Sequence, residues 1–169
     1  KNIIACDRQG AIYVGRPDLD KEKADLATFT NLGKQKGALA EVLIGADVFI
    51  GVSSAGLLTR EIVRTMAPKS LVFALANPVP EIMPDEAKAA GAFIVASGRS
   101  DFPNQINNVL IFPGVFRGAL DNKVRQISDE RLVKAAENLA ALVSVPRVDR
   151  ILPEPFTPGI AAAVAAAIK

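Results

Sequence analysis

The sequence contains no histidine and a single cysteine, Cys6. The first absence removes histidine acid–base catalysis, Ser-His triads and most zinc sites. The second removes an internal disulfide framework and a cysteine cluster for metal. A lone thiol in an apolar strand reads as core, and it fits a reducing, cytoplasmic setting. Net charge is also lacking. Lys and Arg number 20 against 18 Asp and Glu, leaving +2, which is too little to argue for nucleic acid or an anionic membrane as partner. A secretion signal is not expected, because no basic stretch leads into a long apolar run. The apolar tail at 160–168 falls far short of the ~20 residues of a membrane span. What is present is core-forming sequence: half of the 169 residues are hydrophobic and 22% are charged, which suits one ordinary domain.

Four apolar runs of strand length recur, at 2–7, 47–52, 71–76 and 93–96. They are apolar throughout instead of alternating, as strands buried on both faces of a parallel sheet are. A short strand at 11–14 is placed to form a hairpin with the first run. Helices are predicted over 20–29 and over 38–44, with Gly45 stopping the second. Thr59 is the N-cap of the next, with Glu61 in its first turn. Pro84 opens another, which Gly91 ends.

After Gly98 the strand signal stops. Residues 104–117 read as mostly helical, kinked or split at Pro113-Gly114. Ser128 caps an amphipathic helix in which Leu132, Ala135, Ala136, Leu139 and Val143 share a face. A proline-rich connector follows at 146–158, and Thr157-Pro158 caps a last Ala-rich helix. The fold class is α/β: a Rossmann-like doubly wound parallel sheet with helices on both faces, and C-terminal helices beyond it.

In open sheets of this kind, ligands bind beyond the carboxyl ends of the strands. The four runs exit into Asp7-Arg8, into Gly51-Val52-Ser53-Ser54-Ala55-Gly56, into Asn77-Pro78, and into Ser97-Gly98-Arg99-Ser100-Asp101. All are small or hydrogen-bonding residues, suited to a ligand with hydroxyls and phosphate. An acid such as Asp7 at a strand end bonds the adenosine ribose of a dinucleotide, although Asp-Arg-Gln-Gly is also good turn chemistry. Ser53, Ser54 and Asn77 are equally readable as ligand contacts or as turn residues. Asn107 and Asn108 are poor mid-helix residues, and only one of two adjacent helical positions faces a ligand. Arg99 and Asp101 have the bland alternative of pairing with each other.

The glycine-rich turn that should precede Asp7 by ~20 residues falls before Lys1, and the chain opens on Lys rather than Met. The expectation is therefore the C-terminal part of a longer polypeptide, whose sheet here lacks its first strand and its pyrophosphate cradle.

Five stretches carry a resemblance: CDRQGAIYVGR (6–16), ADVFIGVSSAGLLT (46–59), FALANPVPEIMPDEA (73–87), SGRSDFPNQINNVLIFPGVFRGALD (97–121) and ILPEPFTPGIAAAVAAAIK (151–169). Together and in this order they resemble the malic enzyme family in its compact bacterial and archaeal form, over essentially the whole chain. The resemblance implies an NAD(P)-binding domain over 1–169, with 128–169 as a C-terminal helical extension. It implies oxidative decarboxylation of L-malate to pyruvate and carbon dioxide, with NAD or NADP as hydride acceptor and Mg or Mn required.

The family's base Lys, its acid Tyr and its three acidic metal ligands match nothing in this chain, so no catalytic or metal residue is assigned here. By position, Asp7 matches the acid near the adenosine ribose, with Arg8 beside it. Ser53 and Ser54 match the loop alongside the cofactor. Asn77 matches the Asn near the nicotinamide and substrate, and Asn107-Asn108 match the pair that bonds malate. Asp7 opposes the 2′-phosphate of NADP while Arg8 and Arg16 favour it, which leaves the cofactor open. A homodimer or larger homo-oligomer is implied, and the chain alone is expected to be inactive. Two other readings stand beside this one: a two-domain dehydrogenase for amino acids or folate, and a non-catalytic module that binds a nucleotide or a partner chain.

Overall fold

A computed structural model describes residues 2–169. The chain begins with a hairpin, β1 (Cys6–Asp7) antiparallel to β2 (Gly10–Ala11). The expected strand at 2–7 is thus paired only at its end, and its partner starts one residue earlier than 11–14. Residues 2–5 have only scattered backbone partners. The carbonyl of Ile3 accepts from Asn31 N (2.6 Å) and that of Ala5 from Ile12 N (2.8 Å). No neighbouring strand lies along them among the described residues, and Ile3 is 62% exposed.

Helix α1 (Lys21–Phe29) starts where Asp20 accepts from Lys23 N at 2.8 Å. In front of the short α2 (Leu39–Val42), Glu41 folds back to accept from Ala38 N. Two strand–helix units and a third strand follow: β3 (Val48–Gly51), α3 (Arg60–Thr65), β4 (Leu71–Ala74), α4 (Pro84–Ala89) and β5 (Ile94–Ser97). Thr59 caps α3 as its sequence predicts, accepting from Ile62 N.

The three strands form one parallel sheet in the order β3-β4-β5. Val48, Leu71 and Ile94 stand side by side at one end, and Gly51, Ala74 and Ser97 at the other. Parallel strands need crossovers, and α3 and α4 supply them. Phe49, Val72, Ala74 and Val95 pack with Leu58, Val63, Met66, Ile82 and Ala87 into the first core. β3 departs from burial on both faces, since Val48 and Ile50 are 44% and 63% exposed.

The second core is helical. A 3-10 turn (Asn108–Leu110) leads into α5 (Phe112–Asp121), and α6 (Asp129–Ala140) and α7 (Ile160–Ala165) follow. Leu110, Val115, Ala135, Leu139, Ile160, Val164 and Ile168 fill it. α7 crosses α5 at Gly114 and Gly118, where a Cβ would strike Val164 or the Ala165 carbonyl.

Several expectations fail here. Residues 104–107 are not helical, because Asn104 is left-handed (φ +59°) and the chain turns back to the sheet. Pro113 does not kink a helix. It sits in the first turn of α5, where a missing N–H costs nothing. Gly159, not Thr157-Pro158, precedes α7, with φ +93°. On α6, Ala135 and Leu139 are buried while Leu132 stays 43% exposed, so the buried face is narrower than the pattern implied. Among the described residues, no helix is long and apolar enough to cross a membrane.

Candidate functional site

The register of the parallel sheet puts Gly51, Ala74 and Ser97 at one level, so three chain exits share an edge. The Gly51 carbonyl accepts from Leu75 N at 2.9 Å, which carries the ladder one step past the strands. Ser53 and Ser54 stand exposed on the loop after β3, and Asn77 stands exposed after β4. Past β5 the chain loops out and returns: Gln105 bridges Ser97 in parallel, and Ile106 N donates to the Ser97 carbonyl at 2.8 Å. The return brings Asn107 and Asn108 to the same edge.

Asn107 is the N-cap of the 3-10 turn. Its Oδ1 accepts from Val109 N (3.0 Å) and its Nδ2 donates to the Gly98 carbonyl (3.4 Å). It is therefore not a mid-helix Asn, and its polar atoms serve its own loop. Asn108 follows it, exposed.

Beneath this edge lies a side chain that composition and motif did not single out. Glu81 is 0% exposed. Its Oε1 accepts from Ser53 N at 2.8 Å and its Oε2 from Ala76 N at 3.1 Å. Its own carbonyl accepts from Leu58 N at 3.0 Å. Glycine at 51 is what admits it, because a Cβ there would lie 2.5 Å from the Glu81 carboxyl carbon. A legible signal existed: an acid set between Pro80 and Ile82 in a run that must be buried needs a polar partner.

Asp7 and Arg8 sit apart, on the β1–β2 hairpin. Asp7 is gripped by both terminal nitrogens of Arg16, approached by Lys23 Nζ at 3.1 Å, and bonded by Gln9 N at 3.0 Å. The Arg16 hydrogen bonds hold its carboxyl well below the usual carboxylate range. Arg16 also donates to the carbonyls of Gly10 and Ala11, and its side chain is 7% exposed. Of the two guanidinium groups weighed for a 2′-phosphate, only Arg8 is exposed. The Gln9 bond is the turn chemistry that the sequence allowed as an alternative.

Arg99 and Asp101 do pair, through two bonds of 2.8 and 2.7 Å. A cleft of about 640 Å³ lies beside them, lined by Ser100, Asp101, Gln105, Arg147, Arg150 and Phe156 among others; it takes in the fourth exit's Ser100 and Asp101 but none of Asp7, Arg8, Ser53, Ser54, Asn77, Asn107 or Asn108. Among the described residues, no three His, Cys, Asp or Glu side chains gather as a metal site requires.

Comparison with known proteins identifies the family. The family model described as "Malic enzyme, NAD binding domain" matches residues 1–168. A bifunctional malic/malolactic enzyme of Bacillus subtilis is 51% identical over 99% of this chain and 42% of its own length. An NADP-dependent malic enzyme of Rhizobium meliloti is 42% identical over 99% of this chain and 24% of its own. The crystal structure of an NAD-dependent malic enzyme from Thermotoga maritima superposes with a TM-score of 0.93 at 44% identity, covering 100% of this chain and 45% of that one. The chain thus spans less than half the length of these relatives. Its three-stranded parallel sheet and helices are the Rossmann-like α/β arrangement expected, and the chain belongs to the family of malic enzyme NAD-binding domains.

Proposed function

We propose that this chain is the cofactor-binding portion of an NAD(P)-dependent malic enzyme, which oxidatively decarboxylates L-malate to pyruvate and carbon dioxide. The observation that carries this reading is the shared edge of the parallel sheet. There the exits bearing Ser53 and Ser54, Asn77, and Asn107 and Asn108 lie together, in a chain of this family.

The edge suits a dinucleotide. It is open, small-chained and rich in neutral donors, and it lies where such sheets bind ligands. The chemistry that NAD or NADP supplies is acceptance of a hydride. In this reading Ser53 and Ser54 lie along the cofactor. Asn77 serves both the nicotinamide and the substrate. Asn107 and Asn108 orient malate, with Asn108 the more available of the two. Amides hold a hydroxyl and a carboxylate without adding a titrating group beside the transferred hydride. Asp7 is assigned to the adenosine ribose, with Arg8 the exposed cation beside it.

The described residues do not fit a metal site, so we assign the Mg or Mn ligands, the base and the acid to other parts of the full polypeptide. We place the domain at 1–169, with 128–169 as its helical extension, in a cytoplasmic homo-oligomer.

The test is a malate assay on the full-length protein with Mn and each nicotinamide cofactor in turn. The reading predicts reduced cofactor and pyruvate in equal amounts with at least one of the two. No reduction with either overturns it.

A further inference from the structure

Glu81 is a carboxyl group sealed inside the protein with backbone N–H groups as its partners. Sealing a carboxylate away from water is costly unless its oxygens are bonded. Here each oxygen takes one N–H, and the two N–H groups come from different loops. Ser53 N belongs to the loop after β3, and Ala76 N to the loop after β4. Those donors are at, or one residue from, Ser53 and Asn77. The backbone adds two more ties between the same stretches: Leu58 N donates to the Glu81 carbonyl (3.0 Å) and Gly56 N to the Pro80 carbonyl (3.3 Å). Sheet pairing stops at Ala74 and Leu75. Beyond that point the side chain of Glu81 joins the two exits at Ser53 and Ala76, nearer the strand ends than the two backbone ties at Gly56 and Leu58.

We propose that Glu81 is a positioning residue: its buried side chain sets the spacing between the Ser53 loop and the Asn77 loop, so that both meet one bound dinucleotide. This rests on the cofactor-site reading above. An acid at an early strand end takes the adenosine ribose in such folds, so the later exits meet the nicotinamide half. The dependence on Glu81 is therefore confined to that half.

Shape and donor count make the claim specific. Glu81→Gln keeps the volume but turns one acceptor into an NH₂ group facing a backbone N–H, so one buried bond is lost and a donor meets a donor. Glu81→Asp keeps both acceptors but is one methylene short of reaching both loops. Each variant lets one loop drift from the other, and sub-ångström placement is what a cofactor site depends on.

The experiment is equilibrium binding of the intact cofactor and of its adenosine-containing fragment, ADP-ribose or its 2′-phosphate, to full-length wild type, Glu81→Gln and Glu81→Asp. In both variants the intact cofactor is expected to bind about tenfold more weakly, while the fragment binds as in wild type. A simple loss of stability lowers the bound stoichiometry, or weakens both ligands alike. Equal weakening, or no weakening, overturns the proposal. So does failure of both variants to fold by circular dichroism, since Glu81 would then serve the fold and not the site. A wild type that binds cofactor but leaves malate unreacted defeats the malate reading alone. A wild type that binds no cofactor defeats both.

Discussion

Arg16 closes on Asp7 with both terminal nitrogens, from a side chain only 7% exposed. The grip reinforces the hairpin β1–β2, whose two paired residues per strand hold little on their own and which is also tied by Ala11 N to the Gly37 carbonyl and by Asn31 to the Ile12 carbonyl. The same Arg16 bonds the carbonyls of Gly10 and Ala11, so it fastens the acid and the second strand together. A carboxylate presented this way is fixed in direction before any ligand arrives.

Breaking the grip has a pH signature. The folded-state pKa of Asp7 lies below its unfolded value of about 4. Its contribution is therefore complete above that value and is lost as pH falls through the folded pKa. Arg16→Met is expected to cost about 1 kcal/mol at neutral pH, discounted for the partly open site. Urea melts at stepped pH check it: the gap between wild type and variant narrows as pH falls below about 4, leaving only what the Gly10 and Ala11 carbonyl bonds contribute. A gap that does not change with pH contradicts the grip.

Asp7 also governs cofactor choice. Asp7→Ser removes the charge that opposes a 2′-phosphate and frees Arg16 beside Arg8. The ratio of kcat/KM with NADP to that with NAD is expected to rise about tenfold in the full-length enzyme. Steady-state kinetics with both cofactors measures this, and an unmoved ratio contradicts the placement of Asp7 at the ribose.

Asn104 ties the proline-rich connector to the sheet. Its Nδ2 donates to the carbonyls of Val95 and Val148, and its Oδ1 accepts from Ile151 N at 2.9 Å. It is 7% exposed and left-handed at φ +59°, a backbone that Asn tolerates best among side-chain-bearing residues. Asn104→Ala is expected to cost about 2–3 kcal/mol. It also loosens residues 146–151, so limited proteolysis should cut there sooner than in wild type.

The α5–α7 crossing depends on absent side chains. At Gly114 an added Cβ would lie 2.5 Å from Val164 Cβ, and at Gly118 it would lie 2.6 Å from the Ala165 carbonyl oxygen. Alanine gains about 1 kcal/mol in helix propensity, but overpacking costs about 1–3 kcal/mol. The contact with backbone at Gly118 cannot yield by a rotamer change. Gly118→Ala should therefore lower Tm, and a Tm equal to or above wild type contradicts this packing.

The parallel sheet was legible because β3, β4 and β5 are short, wholly apolar runs closed by glycine and asparagine. Three of the four exits then followed by rule. The strand at 2–7 was overread, because apolar content alone does not supply a neighbour to pair with. The 104–107 stretch was misread as helical for a related reason. Its backbone is decided by the contacts of Asn104 with Val148 and Ile151, 44 and 47 residues away, which periodicity cannot register. Glu81 is only faintly legible: its place between Pro80 and Ile82 hints at burial, but its partners are backbone N–H groups, one in its own β4–α4 loop and one in the loop after β3, and these leave no trace in residue type.

Hydrogen exchange of the full-length protein, with and without saturating cofactor, tests the shared edge most directly. The expected result is slowed exchange in peptides covering 51–58, 74–79, 97–108 and 6–9, with the 146–156 cleft and the α6 surface unchanged. Protection confined to that cleft, or none at the three strand exits, would contradict a cofactor site at this edge.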